Sequence, residues 1–169
     1  METIYLAGGC FWGVQKYFDQ FPGVVRTQTG YANGNTENPS YEDVRYRQSG
    51  HAETVRIDYD PERITLGELL ERYFLVIDPL SVNRQGEDEG SQYRTGIYWT
   101  DEKQRPVIEK AVAGLEEKLG CRCAIERCPL RRFDAAEAYH QKYLDAHPDG
   151  YCHIPWRMMH LDSTEQRRG

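Results

Sequence analysis

The spacing of apolar residues changes repeatedly between the period of a β-strand and that of an α-helix along the first hundred positions. Four segments have strand-like spacing, and two others carry apolar residues every three or four positions, in the order strand, helix, strand, strand, helix, strand. This split β-α-β-β-α-β order predicts a ferredoxin-like, two-layer α/β (α+β) sandwich. The predicted strands cover residues 3–7, 24–31, 52–59 and 95–99.

The second predicted helix begins at a capping box, in which Thr65 precedes Glu68 by three positions. Three further elements follow the sandwich core: a helix over 101–120, a strand over 123–127 and a helix over 135–146. The end of the chain shows no periodicity. We therefore expect one domain over residues 1–169, with its core at about 3–146 and an irregular tail at 147–169.

Charge and hydropathy restrict the partners of this chain. The formal net charge is −6, which disfavours binding to the phosphate backbone of nucleic acids. No apolar run approaches the roughly 18 residues of a membrane span. The first residues carry neither the basic flank nor the apolar segment of a targeting peptide. We expect a cytoplasmic monomer that binds neither nucleic acid nor membrane.

The cysteine pattern favours free thiols. The chain has five cysteines, and an odd number does not suit the disulfide framework of a secreted protein. Cys121, Cys123 and Cys128 have a spacing that matches no usual zinc module, so packing is the better interpretation and we expect no metal. Cys152 follows Gly150 in the irregular tail, where we expect few core contacts and a backbone free to move toward another site.

The motif Gly-Gly-Cys-Phe-Trp-Gly at 8–13 joins the first predicted strand to the first helix. Its cysteine, Cys10, lies at the N-terminus of the helix, where unpaired amides and the helix dipole favour a thiolate. The same position also suits a buried, unreactive cysteine that packs as a small hydrophobic residue. Position alone does not separate a nucleophile from a core residue.

Two polar segments offer candidates for acid–base chemistry. Glu53 begins the third strand among apolar neighbours that would raise its pKa and make it a proton donor, although a solvated glutamate at a strand edge is commoner. Tyr41, taken alone, suits a packing residue. The charged segment 83–94 suits either a solvated loop or an oxygen-rich metal loop, but its carboxylates lack EF-hand spacing.

Taken together, the motifs resemble those of the A-type peptide-methionine sulfoxide reductases, which reduce methionine (S)-S-oxide. The resemblance covers about residues 3–152. It rests on five motifs: Gly-Cys-Phe-Trp-Gly at 9–13, Tyr-Glu-x-Val at 41–44, Gly-His-Ala-Glu at 50–53, Asn-Arg-Gln-Gly-x-Asp-x-Gly-x-Gln-Tyr-Arg at 83–94, and Phe-x-x-Ala-Glu-x-Tyr-His-Gln at 133–141.

The resemblance implies a site without metal or nucleotide cofactor. Its residues would be a nucleophile (Cys10), aromatic residues around the substrate methyl group (Phe11, Trp12), a proton donor (Glu53), hydrogen-bond donors to the oxygen (Tyr41, Tyr93) and polar neighbours (His51, Asp88). These roles suit the chemistry, because sulfoxide oxygen leaves poorly unless it is protonated. Separate sites for the methyl group and the oxygen would also select one configuration of the pyramidal sulfur.

The resemblance further implies a sulfenic acid on Cys10 that a second thiol must reduce. Cys152 is the best single candidate for that thiol, with Cys121, Cys123 and Cys128 as alternatives, unless an external thiol reduces the sulfenic acid directly. The expected partners are proteins or peptides that contain methionine sulfoxide, and a thioredoxin-like reductant or another dithiol.

Two functions of other classes remain as alternatives from the residues. Cys10 and His51 could form the nucleophile and base of a hydrolase or acyl transferase, although that reading leaves the aromatic pair and the tyrosines unexplained. A redox-responsive module could instead bind methionine-bearing peptides through Phe11 and Trp12 without turnover.

Overall fold

The computed structural model describes residues 1–34, 50–148, 150 and 152–167. The four predicted core strands are present among the described residues, the fifth predicted strand is displaced, and three more strands are found. The strands are β1 (Glu2–Gly8), β2 (Val24–Ala32), β3 (Ala52–Tyr59), β4 (Arg84–Gln85), β5 (Asp88–Glu89), β6 (Thr95–Trp99), β7 (Glu126–Pro129) and β8 (Phe133–Ala135).

Six of these strands form a mixed sheet in the spatial order β7-β6-β1-β3-β2-β8. The four central strands are antiparallel to their neighbours within the group, β7 adds to β6 in parallel, and β8 adds antiparallel to β2. The register of the β2–β3 pair places Tyr31 opposite Glu53. Strands β4 and β5 form a separate short hairpin.

Helices cover one face of this sheet and extend to the end of the chain. They are α1 (Phe11–Asp19), α2 (Leu66–Phe74), α3 (Arg105–Leu119), α4 (Tyr143–Ala146) and α5 (Ser163–Arg167). Four short 3₁₀ helices accompany them, at Ser91–Tyr93, Glu102–Gln104, Ala138–His140 and Trp156–Met159. Among the described residues, no helix combines the length and the apolar character needed to cross a bilayer.

The ends of two helices follow their local sequence. Thr65 caps α2, since its hydroxyl oxygen accepts a hydrogen bond from the Glu68 amide at 3.1 Å, as the capping box predicts. Gly120 ends α3 in the left-handed conformation, with φ of 73°.

The main core lies between the sheet and α1, α2 and α3. Alternate residues of the strands, such as Leu6 and Ile57, pack there against helix residues that include Phe18, Leu69 and Ile108. A smaller apolar cluster covers the other face of the sheet and consists of Tyr5, Ala7, Ala32, Ala52 and Tyr98 with Cys128, Leu130 and Phe133 against it. The Gly-Gly-Cys-Phe-Trp-Gly motif therefore ends on the main-core face, at the start of α1.

Three predicted elements near the C-terminus were wrong. The helix expected over 135–146 is the strand β8, a 3₁₀ turn and the four residues of α4, because the backbone of Gly30–Ala32 pairs with 133–135 instead. The strand expected over 123–127 begins at Glu126. The expected irregular tail contains α5, and its residues Ile154 and Leu161 are buried in the main core.

Candidate active site

Cys10 lies in a tight turn between β1 and α1 that requires the glycine before it. Gly9 has a φ of 89°, a backbone angle that L-residues with a side chain rarely adopt. A Cβ at this position would also lie 2.7 Å from carbon atoms of Gln85 and His153. Cys10 itself is the N-cap of α1 and is 8% exposed.

Glu53 is buried on the main-core side of the sheet, close to Cys10. Because strand residues alternate between faces, Glu53 shares its face with Val55, and it is 1% exposed. Its Oε1 atom accepts a hydrogen bond from the backbone amide of Phe11 at 3.3 Å. This geometry excludes the solvated strand edge as the environment of Glu53 and fixes its carboxylate at the first turn of α1.

Burial raises the pKa of the Cys10 thiol well above its ordinary value, and the neighbouring Glu53 and Cys152 raise it further. Asp88 acts in the same direction, whereas the backbone amide of Trp12 lowers the pKa. The helix N-terminus thus acts in the direction expected from the sequence, through the Trp12 amide, but against several opposing contributions. Loss of hydration and nearby negative charge outweigh the amide and raise the pKa of Cys10 overall.

Cys152 lies on the first turn of α1, near Cys10. Its sulfur occupies the space that a side chain at Gly13 would fill, and it accepts a hydrogen bond from the Ile154 amide at 3.4 Å. Burial raises the pKa of Cys152 to about 11, with Asp88 adding to the shift, while the amides of Ile154, Gly13 and His153 oppose it. Both thiols are free.

The tail that carries Cys152 is docked on the domain. Ile154 is 2% exposed and belongs to the main core, as does Leu161. His153 packs against Gly9, its Nδ1 lies 3.9 Å from the Cys152 sulfur, and burial lowers its pKa to about 4. The expectation of few core contacts in this segment was wrong, because the sequence offers no period from which its buried side chains can be identified.

The two aromatic residues after Cys10 have different environments. Phe11 is completely buried, with its ring centroid 5.6 Å from that of Tyr31 and 5.4 Å from that of His140. Trp12 is half-buried, stacks on Tyr143 at 3.8 Å, and donates a hydrogen bond from Nε1 to His140 Nδ1 at 3.0 Å. The half-buried indole is thus held rigidly from two sides.

The remaining predicted site residues lie in three places. Asp88 begins the second strand of the short hairpin, and Tyr93 ends the 3₁₀ turn that packs against β3. His51 is buried, and its Nδ1 accepts a hydrogen bond from the Gly34 amide at 3.1 Å. Asp88 is close enough to both thiols to affect their pKa values. Tyr41 falls outside the described residues.

The other three cysteines are placed elsewhere. Cys128 packs on the opposite face of the sheet from α1, where Asn33 donates a hydrogen bond to its sulfur at 3.5 Å. Cys123 lies beside Arg127, and Cys121 is exposed. In the part of the chain that the structure describes, no group of three or more His, Cys, Asp or Glu is arranged to hold a metal ion.

Sequence reasoning assigned no role to four residues that build the site. Gly13 provides the space for the Cys152 sulfur, and His140 fixes the indole of Trp12. Gln85 holds the loop before the hairpin, because its side-chain amide bonds both the N–H and the C=O of Asp78. His153 packs against Gly9 in the turn that precedes Cys10. Gly13, Gln85 and His140 stand in the quoted motifs, so a signal for them was present.

Two thiols and a buried carboxyl around one helix N-terminus define a thiol-dependent enzyme on a mixed α/β fold. A family model described as peptide methionine sulfoxide reductase matches residues 2–168. The chain belongs to the peptide methionine sulfoxide reductase family, and the enzyme class expected from the sequence is confirmed.

The chain aligns with curated relatives over nearly their whole length. Peptide methionine sulfoxide reductase MsrA of Clostridium acetobutylicum is 50% identical over 159 residues, which cover 94% of this chain and 98% of that protein. The MsrA of Lachnoclostridium phytofermentans is 54% identical over 153 residues, covering 90% and 92%.

Solved structures share the fold. Mxr1 from Saccharomyces cerevisiae in reduced form has a TM-score of 0.85 at 35% identity, over 89% of this chain and 88% of that one. Methionine sulfoxide reductase A of Corynebacterium diphtheriae has a TM-score of 0.80 at 35% identity, over 91% and 82%. Mxr1 in complex with Trx2 has a TM-score of 0.60 at 26% identity, over 84% of each chain.

Proposed function

We propose that this chain reduces methionine (S)-S-oxide, in proteins and as the free amino acid, with Cys10 as the nucleophile and Glu53 as the proton donor. The observation that carries the assignment is the buried Glu53 carboxyl beside the Cys10 thiol, joined to the same helix turn through the Phe11 amide. A carboxyl in such a place can deliver a proton to an oxygen while a sulfur attacks from the other side.

The first step reduces the substrate sulfur and oxidises the Cys10 sulfur. The Cys10 sulfur attacks the substrate sulfur, and Glu53 protonates the sulfoxide oxygen. An S–S bond forms between Cys10 and the substrate while the S–O bond breaks, and the oxygen leaves as water. Water then attacks the Cys10 sulfur, the S–S bond breaks, a proton returns to Glu53, and methionine leaves with Cys10 as a sulfenic acid. The substrate sulfur gains two electrons and the Cys10 sulfur loses two, so this step needs no other reductant or cofactor.

The shape of the site supports selection of one epimer. We assign the methyl group of the substrate to Trp12 beside Phe11, and the oxygen to the side of Glu53 and Tyr93. The family resemblance adds Tyr41, which lies outside the described residues, as a further hydrogen-bond donor. His51 and Asp88 complete the polar side. A pyramidal sulfur that must place its methyl group and its oxygen in these two environments fits in one hand only.

Cys152 is proposed as the thiol that resolves the sulfenic acid. It lies within electrostatic range of Cys10 on the same helix turn, whereas Cys128 packs on the opposite face of the sheet. The resulting Cys10–Cys152 disulfide would be reduced by thioredoxin or another dithiol. The structural likeness to Mxr1 in complex with Trx2 supports this kind of reductant.

The alternative functions are less well supported. A Cys–His hydrolase would need His51 as a base, but its Nδ1 already accepts the Gly34 amide. A binding module without turnover leaves the buried Glu53 unexplained. We also propose the finer points of organisation: a single domain over residues 1–169, a ferredoxin-like core for the four central strands with α1 and α2, and a cytoplasmic monomer.

Turnover of separated epimers tests the function. With dithiothreitol as reductant, the S epimer of a methionine sulfoxide peptide should be consumed and the R epimer left unchanged. Comparable rates on both epimers would overturn the pocket assignment. Ester cleavage without sulfoxide reduction would favour the hydrolase, and stoichiometric binding without turnover would favour the binding module.

Single-turnover experiments test the resolving thiol. After oxidation by substrate, peptide mapping should find Cys10 joined to Cys152. The Cys152→Ser variant should still release one equivalent of methionine but should lose thioredoxin-driven cycling. Cys128→Ser is the matched control and should cycle normally. A disulfide between Cys10 and Cys128, or a stable sulfenic acid in the wild type, contradicts the assignment.

A further inference from the structure

We infer that Gly13 is the positioning residue for the disulfide-forming step, because its missing side chain creates the seat in which the Cys152 sulfur lies on α1. This inference rests on the proposed function, in which Cys152 resolves the sulfenic acid on Cys10. It assigns a structural role to the last residue of the Gly-Cys-Phe-Trp-Gly motif. The first four residues already have roles in the turn, the nucleophile and the aromatic contacts.

Steric contact is the first argument. A Cβ built at Gly13 would overlap the Cys152 sulfur and would lie 3.2 Å from the Cys152 Cβ and 3.5 Å from Ile154 Cδ1. The overlapping sulfur belongs to a docked segment anchored by the buried Ile154, so relief of the overlap requires rotation of the Cys152 side chain or a shift of the tail. Any side chain at residue 13 must therefore displace the thiol or the tail.

Helix propensity points the same way. Gly13 is the third residue of α1 and has an ordinary helical backbone, since it is not among the residues with positive φ. Glycine within a helix costs up to about 1 kcal/mol relative to alanine. A residue that weakens its helix, at a place where the backbone does not require it, is explained here by the space that the Cys152 sulfur occupies.

The backbone amide of Gly13 also affects the pKa of the Cys152 thiol. The first amides of a helix have no partner within the helix, and this one lowers the pKa of Cys152 against the effect of burial. The thiolate is the form that attacks sulfur, so the seat favours the reactive form as well as the position. The neighbouring amide of Trp12 does the same for Cys10.

Formation of the Cys10–Cys152 disulfide needs only atoms and electrons that the protein itself supplies. The Cys152 sulfur attacks the sulfur of the Cys10 sulfenic acid, an S–S bond forms and the S–O bond breaks. The proton of the Cys152 thiol leaves with the hydroxide as water. The Cys10 sulfur is reduced and the Cys152 sulfur is oxidised, so no outside oxidant or reductant takes part.

Gly13→Ala tests the seat, with Gly114→Ala as matched control, because residue 114 is a helical glycine with open space around its Cβ position. In single turnover, Gly13→Ala should form the Cys10–Cys152 disulfide about 100-fold more slowly, as expected for a displaced reacting group. The burst of methionine should fall much less, and a sulfenic-acid reagent such as dimedone should label Cys10. Gly114→Ala should behave as wild type.

A second variant covers the case in which Gly13→Ala does not fold. Cys152→Ala removes the overlapping sulfur, so the double variant Gly13→Ala/Cys152→Ala should fold and melt like Cys152→Ala alone. Wild-type disulfide formation in Gly13→Ala, or equal loss of folding with and without the sulfur, overturns the inference. Failure of the proposed function is distinct, since Cys152→Ser would then cycle normally with thioredoxin.

Discussion

The amide of Phe11 donates a hydrogen bond to Oε1 of Glu53 across 3.3 Å and so joins two segments 42 residues apart in the chain. The bond uses one of the amides that a helix leaves unpaired at its start. It places the Glu53 carboxyl beside Cys10 at the first turn of α1. The proposed nucleophile and the proposed acid are therefore positioned by the same turn of α1.

The nucleophile itself gives the first prediction. Cys10→Ser should abolish sulfoxide reduction, because a hydroxyl neither attacks the sulfur at neutral pH nor forms a sulfenic acid. Its melting temperature should stay close to that of the wild type, since the two side chains differ little in size. Steady-state turnover with dithiothreitol measures the effect, and exposed Cys121→Ser is the control. Retention of more than a few per cent of activity would refute the assignment.

A second prediction concerns Glu53. Glu53→Gln should lower turnover by about 10²–10⁴-fold, the usual contribution of a general acid. It should also lower the pKa of Cys10, because the carboxylate charge raises that pKa in the wild type. Since only the thiolate is alkylated, the pH profile of Cys10 labelling by iodoacetamide should move to lower pH.

Mass spectrometry of the Cys10 peptide measures that profile. In the wild type, labelling should still be rising at pH 9, the ordinary value for the thiol, because the pKa lies above it. Exposed Glu62→Gln is the control and should leave the profile unchanged. An unchanged profile in Glu53→Gln would show that burial alone sets the pKa of Cys10.

The docked tail supplies a third prediction. Ile154→Ala should destabilise the fold by about 2–5 kcal/mol, the usual cost of truncating a buried aliphatic side chain. It should also increase labelling of Cys152 by a thiol reagent under native conditions, because this anchor holds the tail to the core. Urea unfolding and peptide-resolved alkylation measure the two effects. Val82→Ala, at a residue 72% exposed, should change neither.

A fourth prediction concerns the cap of α2. Thr65→Ala removes the hydroxyl that accepts the Glu68 amide and should cost about 1 kcal/mol of unfolding free energy. Turnover should stay unchanged, because α2 contributes no residue to the proposed site. Thr100→Ala, at an exposed turn position, is the control. Equal stability of the two variants in urea would show that the capping bond contributes nothing measurable.

Local patterns predicted the elements whose period and caps are strong, and failed where distant contacts decide the conformation. Strand β3 has the bounds predicted from its alternation, and α2 begins at its capping box. The helix expected over 135–146 is broken because Gln141 bonds both the N–H and the C=O of Thr29, a contact across 112 residues. Such contacts leave no periodic signal in the sequence.

The candidate site shows the same division. Cys10 could be identified from a short motif, but the direction of its pKa shift depends on Glu53, Cys152 and burial, none of which is a local property. The Cys152 segment carries too few apolar residues for a period, so its docking on Gly13 could not be foreseen.

The pairing of Tyr31 with Glu53 makes the chemistry dependent on strand alignment. A shift of β3 by a single position relative to its neighbours would turn Glu53 to the opposite face of the sheet and bring Thr54 to Cys10 instead. The same shift would remove Val55 and Ile57 from the core. A misaligned molecule would thus be unstable and would lack the proposed proton donor, so, with Glu53 in that role, catalytic activity reports directly on correct folding of the sheet.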